Sequence, residues 1–242
     1  MCRMIGRAQV VAVPMFIVMF AAIARTASNS DDPQAEPPTA PPPIPVGQPG
    51  SQPASVNPLT GLVSVSSANY RPLSLNERWV LYWKQNYLSA GAYAGPVLTA
   101  LLLDQASGTP VQWGSGVEGH GRRFASRLGE TILQGTVQAP LAAIFHEDVR
   151  YISSSQHGFR RRALHAVIFS FLTYDNHGHP TPNFANFAGY YVSAAVATSW
   201  LPEQHYRTGY TFSTASEQLV LAVPVNLLQE FWPEVRRKIL HR

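Results

Sequence analysis

Seven consecutive residues, "FHEDVRY" (145–151), place a histidine, two carboxylates, an arginine and a tyrosine side by side. That set suits acid–base chemistry. His146 would take the proton, Asp148 or Glu147 would orient the imidazole, and Arg150 would clamp an anion or a developing negative charge. On a continuous helix His146 and Arg150 share a face, as do Glu147 and Tyr151, while Asp148 points elsewhere. His120, Asp104, Asp175 and His177 are polar groups that other elements could bring to the same place. The cluster also has a structural reading, and it is the preferred one. A long apolar helix ends here, its last carbonyls need donors, and His146 and Arg150 suit the negative end of its dipole. The two carboxylates would then pair with the "RRR" of 160–162.

Three further stretches carry polar groups in functional patterns. "DNHGH" (175–179) offers Asp175, His177 and His179 as metal ligands, with Gly178 allowing the turn. No helical His pair accompanies them, a polar loop explains them equally well, and no metal site is expected. "FRRRAL" (159–164) sets Arg160, Arg161 and Arg162 at a helix start, which already attracts anions. Phosphate, lipid headgroups or protein carboxylates would all suit it. The tail "EVRRKILHR" repeats the pattern with Arg236, Arg237 and Lys238, a short basic amphipathic end fitted to an anionic surface. There is no G-x-S-x-G elbow, no phosphate-binding Gly-rich loop and no dinucleotide fingerprint. No cofactor, nucleotide or nucleic acid is therefore expected.

The elements that would position these groups are helices. Length, periodicity and stop signals predict five, at about 74–103, 117–151, 158–174, 183–200 and 213–240. Ser74 and Glu77 make a capping box for the first. Pro202 closes the fourth. Ser213 or Thr214 caps the fifth, which Pro233 interrupts. "VQW" (111–113) and "YTF" (210–212) are too short to carry a sheet. Small residues recur in these helices (Gly91, Ala92 and Gly95; Gly129, Gly135 and Ala139; Ala185, Ala188, Gly189, Ala194 and Ala195), and they let helix backbones approach closely. Pro96, Pro140 and Pro224 sit inside apolar runs, which a helix tolerates where neighbours satisfy the freed carbonyl. The expected fold is all-α: five small-residue-rich, partly proline-kinked helices in one domain, residues 70–242.

Residues before 70 read differently. Arg3 and Arg7 precede an 11-residue apolar run, "VVAVPMFIVMF", and then "AAIA". This is a secretory signal, cleaved after Ala24. Residues 25–69 form a proline-rich linker, with too little apolar surface to offset its ordering entropy. Past the signal there is no cysteine, which excludes disulfides, thiolate metal sites and cysteine nucleophiles together. The expected location is the periplasm or outer envelope.

Within 70–242, Arg outnumbers Lys 13 to 2, and 15 basic residues face 11 acidic ones. Arginine pairs well with phosphate and carboxylate, so anionic membrane surfaces are the expected partners. Five spanning helices would leave eight basic residues on one side and seven on the other, without the bias of an inner-membrane protein. The third and fifth helices each offer only about 12 uncharged residues, short of the ~20 a span needs. A helical domain resting on, or partly in, a membrane fits better. "EFWP" (230–233) and "SWLP" (199–202) bring tryptophan to helix boundaries, the place of interfacial tryptophan or of a packed helix end.

"HEDVRYISSSQHGFRRRALHAV", "DNHGHPTPNFANFAGYYVSAAV" and "NLLQEFWPEVRRK" together resemble a family of uncharacterised exported bacterial proteins. Its pattern is a His-(Glu/Gln)-Asp-x-Arg-Tyr element, a Gly/Asn loop leading into a small-residue helix, and a closing Glu-Phe helix. The likeness covers about 118–240 and puts His146, Asp148, Arg150 and Tyr151 at the motif positions. Val149 stands where the family usually has proline, so the turn after Asp148 is less fixed. The resemblance implies an exported helical domain and no particular chemistry. The sequence as a whole points to a membrane-associated, non-enzymatic envelope protein, with an envelope hydrolase built on His146, Asp148 and Arg150 as the alternative.

Overall fold

The computed structural model describes residues 43–46, 56–202 and 207–240. The expected signal and residues 25–42 and 47–55 of the expected linker lie outside these residues, whereas the linker's last part, 56–69, is packed on the domain, with Val63 and Ser67 buried. Six helices dominate: α1 (Leu75–Trp83), α2 (Gly91–Thr99), α3 (Val117–Ile144), α4 (Phe159–Ile168), α5 (Phe184–Ala197) and α6 (Arg207–Leu240). Four three-residue strands accompany them, and the fold is all-α in character. Strand β1 (Ser64–Ser66) lies parallel to β2 (Tyr151–Ser153), with Ser64 opposite Tyr151. Strands β3 (Leu172–Tyr174) and β4 (Pro180–Pro182) form an antiparallel pair.

The helix expected over 74–103 is two helices. Ser74 caps α1 as predicted: its side chain accepts from the Glu77 amide, and Glu77 returns a bond to the Ser74 backbone. After a π-helical turn over Lys84–Leu88 the chain breaks at Ser89, whose backbone is extended (φ −102°, ψ 147°). The Ala90 amide there donates to Pro58 O (2.9 Å) and leaves the helix ladder. Gly91 then packs against the backbone of Thr60 so closely that a Cβ would collide with it. Helix α6 starts earlier than expected, at Arg207, and takes in the YTF segment. Ser213 is no cap, because its hydroxyl donates to the carbonyls of Gly209 (2.8 Å) and Tyr210 (3.1 Å) behind it. Nor does Pro233 interrupt the helix. Both Pro224 and Pro233 lie on its exposed side.

Helix α3 is the central element, packed most extensively on α5 and also on α1 and α2. Glycine makes the α3–α5 approach possible: a Cβ on Gly189 would sit 3.0 Å from Gln134 O. Helix α6 covers α5 and α4. The apolar core is at the strand end, where Tyr70, Ile152, Ala166, Phe169 and Tyr174 are buried together. Between the helices, small apolar residues such as Ala142, Ala185 and Ala194 share the interior with buried charged ones such as Arg123, Arg127 and Glu130.

Candidate functional site

Helix α3 stops at Ile144, before the FHEDVRY cluster is complete. Phe145 is its C-cap, and His146 follows with φ 59°, the left-handed conformation. The Glu147 amide donates back to Ala142 O (2.9 Å). This is the Schellman bond that ends a helix, with histidine where glycine is usual. Histidine is one of the few non-glycine residues enriched in that region. Because the chain turns here, His146 and Arg150 do not share a helix face. His146 is exposed, while Glu147, Asp148, Arg150 and Tyr151 are buried.

Each buried member has a partner from a distant element. Glu147 caps α5 by accepting from the amides of Phe184 (3.1 Å) and Ala185 (2.9 Å). Burial raises its pKa, and those two amides oppose the shift. Asp148 accepts from the Arg150 backbone amide (2.9 Å) and from the Arg150 guanidinium at Nε (2.9 Å) and Nη2 (2.5 Å). Arg150 Nη2 also donates to Arg71 O (2.6 Å). Arg78 donates to Glu147 O (2.7 Å), locking α1 onto the turn. The Tyr151 hydroxyl donates to Glu230 of α6 (2.8 Å), and burial followed by that carboxylate drives its pKa strongly upward.

The carboxylates of 147 and 148 therefore do not meet the arginine triplet. Arg162 instead pairs with Glu230 (2.8 Å) and Glu234 (2.5 Å) and lies over the Phe231 ring. Arg160 and Arg161 are exposed, as are Arg237 and Lys238, whereas the Arg236 side chain lies outside the description. In DNHGH, Asp175 organises its own loop by accepting from the amides of His177 and His179 (both 2.8 Å). Its pKa falls, because these donors outweigh burial. Among the described residues no group of three or more His, Cys, Asp or Glu is placed to hold a metal ion.

Sequence reasoning passed over the most polar part of the molecule, which is one face of α3. Arg123, Arg127, Glu130, Gln134 and Gln138 recur every three or four residues, the spacing of a single helix face. The face points inward. Arg127, 7 % exposed, pairs with Asp104 (2.6 Å) from the turn after α2. It also reaches Glu130 and Glu217 (both 3.3 Å). Glu130 is fully buried and accepts from the Tyr210 hydroxyl (2.6 Å). Burial raises the pKa of Glu130 and of Glu217, against the pull of Arg127. Arg123 instead ties down the loop before α3, donating to the carbonyls of Thr109 (2.7 Å), Pro110 (3.0 Å) and Gly114 (2.7 Å). The signal for this stripe was present in the spacing, but small residues between its members masked it.

From Arg127 to Gln138 the stripe forms one wall of a cavity of about 450 Å³. Helices α2, α5 and α6 supply other walls, and Asp148, Arg150 and Tyr151 close the strand end. Thus the motif's Asp–Arg pair faces the cavity while His146 does not line it.

The outer surface is the converse. Trp79, Tyr82, Trp83 and Tyr87 stack on one another around α1, with ring centroids 4.7–5.9 Å apart. Trp79 is 58 % exposed and Leu102, beyond α2, 62 %. Val192 and Val196 of α5 and Phe212, Val225, Leu228 and Trp232 of α6 are also exposed. Among the described residues no helix is long and apolar enough to cross a membrane. Compared with family models, with curated proteins and with solved structures, the chain has no significant match.

Proposed function

We propose that this chain is an exported envelope protein that associates with a membrane and is not an enzyme. One observation carries the reading: charged and amide side chains converge on the interior while large apolar side chains cover the outside of α1, α2, α5 and α6. Exposed apolar surface on this scale marks an interaction surface. Trp79, Trp83 and Trp232 supply amphipathic rings of the kind that settle at a membrane–water boundary. Arg160, Arg161, Arg237 and Lys238 are exposed and fit headgroup phosphates. The helices lie on the bilayer or dip into its boundary rather than cross it.

The hydrolase reading has less support. Its base, His146, is the left-handed residue of a helix cap, and Asp148 and Arg150 are already spent on each other and on a backbone carbonyl. A general base must reach the proton it takes, with an orienting partner in place.

Washing envelope membranes that contain the protein tests the proposal. Apolar contact resists high salt, because salt screens charge and not burial. Retention through a high-salt wash is expected. Release by salt alone would reduce the attachment to arginine–phosphate contact. Recovery in the soluble fraction before any wash would overturn the reading.

A further inference from the structure

We propose that the interior cavity is a binding site for a neutral carbohydrate. Its volume, about 450 Å³, falls within the roughly 300–1,000 Å³ of small-molecule sites. Its walls define the ligand by their charge and their hydrogen-bonding groups.

The charges cancel. Four ionisable residues of formal charge line the space: Arg127, Glu130, Asp148 and Arg150. Arg150 is held by Asp148, and Arg127 by Glu130 together with Asp104 and Glu217 behind it. An anionic ligand would have to displace a carboxylate from one of these arginines. A cationic ligand would have to displace an arginine. The two further carboxylates around Arg127, Asp104 and Glu217, do not line the cavity.

The remaining polar lining is amide and hydroxyl. Eight Asn and Gln side chains border the cavity, among them Asn86, Gln134, Gln138, Asn186 and Gln218. Three of them are linked in a fixed order. Gln134 Nε2 donates both to Gln138 Oε1 (2.9 Å) and to Asn186 Oδ1 (3.1 Å). This chain consumes one donor group and two acceptors. Gln134 Oε1 and Gln138 Nε2 make no hydrogen bond among the described residues. The site thus keeps a free acceptor and a free donor on residues one helical turn apart on α3. A hydroxyl donates and accepts at one atom, so vicinal hydroxyls match such a pair. An apolar ligand would leave these amides dry and unpaired, which disfavours it. Pro96, Tyr190 and Leu221 add the apolar area that the C–H faces of a sugar ring require, whereas the Phe169 ring is taken up by His165 and Tyr174.

The site lies inside the helices and the apolar surface lies outside, so the proposal stands whether or not the protein binds membranes. The test is calorimetric titration of the full chain with neutral saccharides: glucose, xylose, N-acetylglucosamine, maltose and trehalose. Glucose 6-phosphate and glucosamine serve as charged counterparts. At least one neutral sugar is expected to bind and to raise the melting temperature, with its charged counterpart at least ten-fold weaker. Gln138→Leu, which removes the free donor, should weaken binding at least ten-fold. Gln138→Glu replaces that donor by an acceptor at constant size and should do the same if the leucine variant does not fold. No binding across the neutral panel at about 10 mM, well above the 1 mM that corresponds to ~4 kcal/mol, would overturn the proposal. So would tighter binding of a charged counterpart, or binding that both Gln138 variants leave unchanged.

Discussion

Asp148→Ala separates a structural from a catalytic motif. The Asp148 and Arg150 side chains are 1 % and 2 % exposed, and three hydrogen bonds run to Asp148 from Arg150. Deleting the carboxylate leaves a buried guanidinium with one carbonyl partner, Arg71 O. Breaking a buried pair from one side costs about 3–5 kcal/mol, a large part of the roughly 5–15 kcal/mol that holds a domain folded. Asp148→Asn keeps an acceptor for the Arg150 amide and Nε, and should cost about 1.5–3 kcal/mol, the worth of a charge-assisted bond. The assay is urea unfolding followed by far-ultraviolet circular dichroism. With a slope of about 2 kcal/mol/M, the alanine variant should move the midpoint down by about 2 M. Adding Arg150→Met should restore part of the loss, because the orphaned charge goes with it, and the coupling should be about 0.5–3 kcal/mol. A cost for Asp148→Ala below ~0.5 kcal/mol, the size of a surface change, would refute this account of the motif.

Two further predictions concern the cap of α3 and the buried carboxylates. His146→Gly should leave stability unchanged or raise it by up to about 1 kcal/mol: relief of left-handed strain is worth about 1–2 kcal/mol, and the added chain entropy of glycine takes back about 0.5–1 kcal/mol. His146→Val should be clearly destabilising, and a lower melting temperature for the glycine variant would contradict the cap. Stability should also depend on pH in two opposed ways. Burial raises the pKa of Glu130 and Glu217, so their contribution is present below the ordinary value of 4.5 and is lost as pH rises through the raised values. The Arg71 guanidinium holds Glu77 down to about 2, so its contribution is present above 4.5 and is lost as pH falls toward about 2. Calorimetric melting between about pH 2 and pH 8 should therefore show a mildly acidic optimum, and Glu130→Gln should flatten the alkaline limb.

The helices were legible in the sequence because their apolar and small residues run long, and the capping box at Ser74 and Glu77 is a local signal that tertiary contacts did not override. The break at Ser89 was not legible. It depends on Pro58 and Thr60, residues in a different part of the chain that dock against α2. The end of α3 at Ile144 was equally hidden, since a histidine in a glycine position gives no stop signal. In the site, the FHEDVRY cluster stood out for its density of charge. The pairings that decide its role reach Arg71, Arg78, Phe184, Ala185 and Glu230, and no local pattern announces partners at such separations. The inward stripe of α3 was present in the spacing, but the expectation that a helix turns its apolar face inward reads it as the outside.

The parallel pairing of β1 with β2 sets an order of events. Three helices intervene between Ser64 and Tyr151, so β1 emerges long before its partner exists, whichever machinery delivers the chain. Closing so long a loop costs entropy that no local contact refunds, and pairings of this kind form slowly. Until Tyr151 arrives, β1 is a waiting edge that a neighbouring molecule could extend. Its brevity and two serines make it a poor template for that error. The Tyr151 amide bonds to Val63 O (3.1 Å) beside this strand pair, and Arg150 grips Arg71 O a few residues further on. The arrival of the motif is thus the event that captures the β1 segment, and α4, α5 and α6 follow it in the chain.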